Sequence, residues 1–178
     1  MAFDFTAVIL KEQQPSVIDI NKIINKTTNK RIGFILFSSI NDQQELFASG
    51  ICMKQNFVLV GNKILYDIKE LVNYDINKII SFGLDDTADL LMEFARTFDQ
   101  LIILVNLNVL DVCHSPTSSH TSVGGLNIKE LFYIFSRFSH LRTEKIIYVY
   151  NYSLVKDSTQ TTQLLLEKFQ SLGVSNLI

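Results

Sequence analysis

The chain has 178 residues, with 16 lysines and arginines against 18 aspartates and glutamates, which gives a net charge of −2. Hydrophobic residues make up 47% and charged residues 19% of the sequence, a composition that excludes a disordered chain. The small net charge also argues against a free-standing nucleic-acid-binding domain, which would carry a basic excess.

The length predicts a single domain over residues 1–178. Residues 1–17 lack the basic opening and long apolar run of a secretory signal. The longest apolar runs are far shorter than the ~20 residues of a membrane-spanning helix. We therefore expect a soluble, intracellular protein of the nucleus or cytoplasm that does not bind membranes. Cys52 and Cys113 are too few for a disulfide framework and are predicted to be reduced thiols.

The first half of the sequence predicts short strands and little helix. Residues 31–37 form an apolar strand, followed by a loop and a short helix that reaches residue 47. Two β-rich runs flank Gly61 and Asn62, so we expect an antiparallel hairpin near residues 57–66. Residues 78–82 are predicted to be a further strand.

The second half alternates strands and helices. Asp85 and Asp86 begin a predicted helix that leads into a continuous apolar strand over residues 101–105. Apolar residues spaced by three and four predict a helix over residues 128–141, with Asn127 as its N-cap. A second apolar strand, 145–150, precedes a last helix over about 161–172. Strands of this kind are buried on both faces, so the sequence predicts a three-layer α/β domain, RecA-like or Rossmann-like, with a mostly parallel sheet.

Recognisable catalytic motifs are missing from this framework. The sequence has neither a GxxxxGK[ST] phosphate loop nor a GxGxxG dinucleotide fingerprint. Cys113, His114 and His120 could ligate zinc, but their spacing is unusual, and we interpret residues 113–125 as a mobile polar loop. Asp85, Asp86 and Asp89 fit a helix start better than a catalytic carboxylate cluster. The sequence thus predicts no catalytic, cofactor-binding or metal-binding residues, and no cofactor.

The order of elements from residue 77 to residue 152 resembles the second half of a RecA-type recombinase core. There the apolar strand ends in an Asp that helps to hold magnesium, whereas this chain has Asn106, and the phosphate loop has no counterpart. The resemblance implies a degenerate recombinase paralog that has lost ATP, similar to subunits of Shu-type recombination-mediator complexes or of the Elongator subassembly that acts on tRNA.

This resemblance implies a non-catalytic subunit of a DNA-repair or recombination complex. Its expected partners are another RecA-like or scaffold protein and, through the complex, single-stranded or forked DNA. The loop over 113–125 falls where the family's first DNA-facing loop lies. The candidate DNA or partner contacts are His114, Ser118, His120, Lys129, Arg137, Arg142 and Lys145.

Two alternatives remain open from the residues. A scaffold or assembly factor without nucleic-acid binding, for example an Elongator-type subunit, would use exposed Tyr148, Tyr150 and Tyr152 as anchors. An enzyme of unrecognised type, such as a hydrolase, would use the Asp85, Asp86 and Asp89 end.

Overall fold

Six parallel strands and six helices make up the part of the chain that the structure, a computed structural model, describes: residues 5–24, 30–40, 44–63 and 71–173. The strands are β1 (Ala7–Leu10), β2 (Ile32–Phe37), β3 (Phe57–Val60), β4 (Val72–Tyr74), β5 (Gln100–Asn106) and β6 (Glu144–Tyr150). The helices are α1 (Val17–Ile24), α2 (Gln44–Ala48), α3 (Ile76–Phe82), α4 (Leu84–Ala95), α5 (Ile128–Phe138) and α6 (Thr161–Gln170).

The strands form one sheet in the order β1-β6-β5-β2-β3-β4. All five pairings are parallel, so every strand ends at the same edge of the sheet. The chain passes from β2 to β3 and β4 in one direction, then returns to place β5 and β6 on the other side of β2. The strand order therefore reverses between β2 and β5, and in open α/β sheets such a reversal is where ligands bind.

Apolar side chains fill both faces of the sheet, which gives a three-layer fold. One core packs the sheet against α3, α4, α5 and α6, and the other packs it against α1 and α2. Phe135 of α5 is fully buried, with its ring centroid 5.5 Å from that of Phe37 and 5.8 Å from that of Phe169. The predicted strands at 101–105 and 145–150 are confirmed as the buried strands β5 and β6, and the α/β class with them.

Local signals account for the two central helices. Asn127 caps α5 by accepting from the Glu130 backbone N–H at 2.9 Å, while the Glu130 carboxylate accepts from the Asn127 N–H, a complete capping box. Asp85 and Asp86 lie in the first turn of α4 as predicted. Asp89 lies one turn further along, where it forms an ion pair with Arg137 of α5.

The strand predicted over residues 78–82 is wrong, because these residues belong to α3. Asp75 caps this helix by accepting from the Lys78 backbone N–H at 2.9 Å. Ile79 is 6% exposed and Ile80 75% exposed, so one faces the core and the other faces solvent, as in an amphipathic helix. The capping Asp and the closing Gly83 outweigh the β propensity of two adjacent isoleucines.

The antiparallel hairpin predicted near residues 57–66 is also wrong. Its first strand is present as β3, but β3 pairs in parallel with β2 on one side and with β4 on the other. Both of its edges are therefore occupied, and no antiparallel partner can add to it. Residues 64–66, the second half of the predicted hairpin, lie outside the described residues.

No helix among the described residues combines the length and the apolar character that crossing a membrane requires. The single domain over residues 1–178 stays a prediction.

Candidate functional site at the carboxyl edge of the sheet

A pocket of about 340 Å³ opens where β1, β6, β5 and β2 end. Asn106 and Tyr150 are register partners at the ends of β5 and β6, so their side chains start from adjacent positions at this edge. The polar loop after β5 contributes a further wall. The described residues that line the pocket are Glu12, Gln13, Gln14, Ile40, Asn106, Ser119, His120, Tyr150 and Asn151. We call this the sheet-edge pocket.

Two asparagines join the ends of β5 and β2. The Asn106 Oδ1 accepts from the backbone N–H of Asn108 at 3.1 Å and from the Asn151 Nδ2 at 2.6 Å. The Asn108 Oδ1 accepts from the Ser38 hydroxyl at 3.2 Å and from the Ser39 backbone N–H at 3.0 Å. Four of these five residues are buried, and Asn151 is half-buried. These bonds fix the shape of the sheet edge beneath the pocket.

Asn151 connects the sheet to the loop that walls the pocket. Its Oδ1 accepts from both the backbone N–H and the hydroxyl of Ser119, at 3.0 and 2.6 Å. Its Nδ2 donates to the Ser119 carbonyl at 3.1 Å as well as to Asn106. Asn151 has φ 64°, and His120, which follows Ser119, has φ 60°. Both conformations are uncommon for residues other than glycine and often occur at functional sites.

Further hydrogen bonds hold the remainder of the loop. The Asp111 carboxylate accepts from the Cys113 and Gly124 backbone N–H groups, at 3.0 and 2.8 Å, and these bonds lower the pKa of Asp111. Lys63 reaches across from the end of β3 and donates to the Ser122 carbonyl at 2.7 Å. Partial burial lowers the pKa of this lysine. The loop predicted from its polar sequence is thus tied to the sheet at both ends.

Few side chains of the pocket can hold a metal ion. Glu12 and His120 are the conventional metal ligands among its described lining, and within the described part of the chain no three His, Cys, Asp or Glu side chains come together as a metal-binding group. Zn²⁺ requires three or four such ligands, and Mg²⁺ or Mn²⁺ prefers carboxylate oxygens. The described residues therefore do not fit a metal centre, and the zinc alternative for Cys113, His114 and His120 gains no support.

The predicted contact residues fall at two opposite ends of the molecule. His114, Ser118 and His120 lie in the loop at the carboxyl edge, and of these only His120 lines the sheet-edge pocket. Lys129, in the first turn of α5, lies towards the same edge and is exposed. Because α5 runs antiparallel to the strands, its end and the following turn carry the other basic residues to the amino edge. Those residues are Arg137, Arg142 and Lys145.

Lys145 was predicted to contact DNA or a partner, but the structure buries it. Its side chain is 1% exposed, and its ammonium group donates to the Leu141 carbonyl at 2.7 Å. The Nζ also lies 5.7 Å from the centroid of the Phe5 ring. A lysine that is enclosed in this way stabilises the turn between α5 and β6 and cannot meet a phosphate.

Two other sets of predicted residues serve the fold. Tyr148, Tyr150 and Tyr152 are buried at 1%, 1% and 9% exposure, so none of these three can serve as the exposed anchor expected of a scaffold. The Asp85 carboxylate accepts from the Tyr133 hydroxyl, and Asp89 pairs with Arg137. These carboxylates join α4 to α5 and do not face the sheet-edge pocket.

Sequence reasoning missed Glu12, Asn108 and Asn151 as site residues. A signal was present, since Asn106 and Asn151 directly follow the two apolar runs that the sequence identifies as buried parallel strands. Polar residues at such positions meet at one sheet edge. Glu12 had no comparable signal, because nothing in its own segment shows that β1 lies beside β6.

No protein-family model matches the sequence, and no curated protein matches it. Solved structures do match, and they share the fold of arginase-type hydrolases. Arginase from Bacillus subtilis aligns with a TM-score of 0.81 and 14% identity, over 97% of this chain and 73% of that chain. Proclavaminate amidino hydrolase from Streptomyces clavuligerus aligns with a TM-score of 0.80 and 15% identity, over 94% of this chain and 62% of that chain.

Formimidoylglutamase from Bacillus subtilis aligns with a TM-score of 0.78 and 18% identity, over 94% of this chain and 60% of that chain. At these identities the likeness shows the fold. The chain spans less than two thirds of the length of the amidino hydrolase and of formimidoylglutamase, so parts of those enzymes have no counterpart in it.

The resemblance to a RecA-type recombinase is wrong. The order strand, helix, strand, loop, helix, strand is common to many parallel α/β sheets, and one strand of the matched pattern, residues 78–82, is a helix. The interpretation as a non-catalytic recombination or DNA-repair subunit depended on that resemblance and is overturned by the fold's hydrolase neighbours. Four further expectations are wrong for the same reason. They are an Elongator-type scaffold, the absence of enzymatic activity, a RecA-like or scaffold partner, and DNA as a ligand.

Proposed function

We propose that this protein hydrolyses a C–N bond of a guanidino or amidino compound bound in the sheet-edge pocket. The observation that carries the proposal is the alignment of 97% of the chain with an arginase at a TM-score of 0.81. The names of that arginase, of the amidino hydrolase and of formimidoylglutamase share one chemical feature. Each refers to a substrate group in which one carbon is bonded to two or three nitrogens.

The location and the size of the sheet-edge pocket support this proposal. The pocket lies at the carboxyl ends of four neighbouring strands, beside the reversal of strand order between β5 and β2. Its volume of about 340 Å³ suits a ligand the size of an amino acid or a small amine. Two of its lining residues, Asn106 and Tyr150, lie in strands, which position side chains more precisely than free loops do.

The lining offers acceptors for a planar cation. A guanidinium or amidinium group carries N–H donors around its edge, and a carboxylate accepts two of them side by side. Glu12 supplies the carboxylate among the described lining residues, and its Oε1 is oriented by the Leu154 backbone N–H at 3.2 Å. Gln13, Gln14 and Tyr150 are further polar residues of the lining.

Hydrolysis of this group needs proton transfers that two lining residues can perform. The oxygen of water forms a bond to the central carbon and gives up a proton, one C–N bond breaks, and the departing nitrogen takes up a proton. Carboxylates and imidazoles are the side chains that most often carry such protons. We assign these transfers to Glu12 and His120, and no step to a metal ion, because the described lining does not supply a metal-binding set.

A product-release assay with the purified full chain tests the proposal. L-Arginine, agmatine and formimidoyl-L-glutamate would each be incubated with the protein, with and without added divalent cations, while urea, ammonia and formamide are measured. We expect turnover of at least one compound. Loss of an acid–base group costs about 10²–10⁴-fold, so Glu12→Gln should lower kcat/KM by at least about 100-fold.

Glu167→Gln, on the exposed side of α6 and outside the pocket, is the matched control and should keep the wild-type rate. Absence of product with every compound under both conditions, from protein with a normal circular dichroism spectrum, would overturn the proposal. Equal rates for the two variants would overturn the role of Glu12.

A further inference from the structure

Asn106 and Asn151 form the floor of the sheet-edge pocket, and Asn108 is fully buried behind Asn106. The side-chain oxygens of all three asparagines are already engaged in hydrogen bonds. We propose that this floor is a neutral hydrogen-bonding surface that does not bind divalent cations, so that the ligand is held without a bridging metal ion. The inference takes the site from the proposed function, but it concerns the chemistry of Asn106, Asn108 and Asn151 themselves.

Backbone N–H groups fix the orientation of all three amides. The Asn108 N–H donates to the Asn106 side chain at 3.1 Å, the Ser39 N–H to Asn108 at 3.0 Å, and the Ser119 N–H to Asn151 at 3.0 Å. A backbone N–H can only donate, so the atom that faces it must be the amide oxygen. Rotating any of these amides by 180° would place two donors against each other.

Each of the three oxygens also accepts a second hydrogen bond. The second donors are Asn151 Nδ2 to Asn106 at 2.6 Å, the Ser38 hydroxyl to Asn108 at 3.2 Å and the Ser119 hydroxyl to Asn151 at 2.6 Å. An amide oxygen has two lone pairs, so both are occupied in every case. A cation could coordinate these oxygens only by displacing hydrogen bonds that hold the sheet edge together.

The amide nitrogen of Asn108 also disfavours a metal ion at this position. Asn108 is fully buried, and its Nδ2 has no hydrogen-bond partner among the described residues. An unpaired N–H₂ group carries partial positive charge, which disfavours a nearby cation and favours an acceptor atom. Asn108 does not line the pocket, so its amide nitrogen acts on a metal ion at Asn106 from the buried side.

Manganese binding measured without any organic ligand tests this inference. Mn²⁺ would be titrated into the full chain and followed by electron paramagnetic resonance and calorimetry. We expect no saturable binding up to about 1 mM Mn²⁺, the weak end of oxygen-ligand sites in proteins. The variant N106D/N108D keeps every acceptor position and adds two carboxylates, so it should bind Mn²⁺ at least about ten-fold more tightly.

Asn77→Asp, on the exposed face of α3, is the control for added charge and should behave as the wild type. Thermal unfolding shows whether each variant folds, and Asn106→Asp alone replaces the double variant if the latter does not. Micromolar Mn²⁺ binding by the wild-type chain, lost in Asn106→Ala, would overturn the inference. So would a double variant that folds and gains no affinity.

The proposed function and the inference about the asparagine floor are tested independently of each other. The manganese titration involves no substrate, so absence of turnover in the product-release assay does not affect it. Guanidino-ligand binding by calorimetry supplies the link between them. Equal affinity for the guanidino ligand in the presence of a chelator and in the presence of Mn²⁺ supports a site without a bridging metal ion. Ligand binding that appears only with Mn²⁺ contradicts it.

Discussion

The interior of the sheet and its carboxyl edge are stabilised in different ways. In the interior, apolar strands are covered on both faces, and each buried side chain packs against several other apolar side chains. At the edge, a few amides and hydroxyls of β2, β5, β6 and the loop after β5 hold one another through specific hydrogen bonds. The interior therefore supplies most of the stability, while the edge contributes less and fixes the shape of the pocket. Substitutions in the two regions should differ accordingly.

Phe135→Ala should give the largest loss of stability. Phe135 is fully buried, and its ring contacts those of Phe37, Phe132 and Phe169. Removing a buried phenylalanine ring leaves a cavity, and we expect the free energy of unfolding to fall by about 3–5 kcal/mol. Urea denaturation checks the value. The matched control is Phe82→Ala, whose side chain is 48% exposed and should cost much less. Equal losses would contradict the packing described here.

Asn151→Ala should have an intermediate effect on stability and a large one on the sheet-edge pocket. The substitution removes four hydrogen bonds that join β5, β6 and Ser119. The Ser119 groups are exposed and can bond to water instead, whereas the Asn106 oxygen is buried and loses one of its two donors, which typically costs about 1–3 kcal/mol. We expect a loss in that range by urea denaturation, together with weaker ligand binding by calorimetry.

The control for this change is Asn77→Ala, which removes an exposed amide from α3. It should change stability by less than about 0.5 kcal/mol and leave ligand binding intact. If Asn151→Ala were as mild as this control, the edge network would not define the pocket.

The smallest expected effect concerns Asp111 and depends on pH. Hydrogen bonds from the Cys113 and Gly124 backbone N–H groups lower the pKa of Asp111 in the folded protein. A carboxyl group with a depressed folded pKa stabilises the fold above its unfolded pKa of about 3.9, and this contribution disappears as the pH falls through the folded value. The difference in stability between wild type and Asp111→Asn should therefore be largest near neutral pH.

Urea denaturation of both proteins between neutral and acidic pH checks this dependence. The difference should be constant from neutral pH to just above the unfolded pKa of about 3.9 and should shrink below it. A difference that grows towards acid would contradict the role of Asp111 in fixing the loop.

The sequence predicts the interior far better than the edge, for a physical reason. A parallel strand covered on both faces needs a continuous apolar run, and residues 101–105 and 145–150 show it directly. The capping box at Asn127 likewise lies within four consecutive residues. Each of these features is local, so a short window of sequence contains it.

Features that depend on tertiary neighbours were not predictable in this way. Ile79 and Ile80 fit a strand until the cap at Asp75 is considered, and the parallel neighbours of β3 lie far from it in sequence. The pocket depends on Glu12 and Asn151 meeting across β1 and β6. The positions of Asn106 and Asn151 after two apolar runs place them at one sheet edge, but asparagine is an ordinary residue at strand ends, so its type alone does not identify a site. The same limitation led from a common element order to the wrong family.

A crystal structure of the full chain with agmatine, grown in the presence of a chelator, would show where the guanidinium group binds. We expect electron density for the guanidinium group in the sheet-edge pocket, against the Glu12 carboxylate. Ligand bound at another surface, or present only when a metal ion coordinates Asn106, would contradict it.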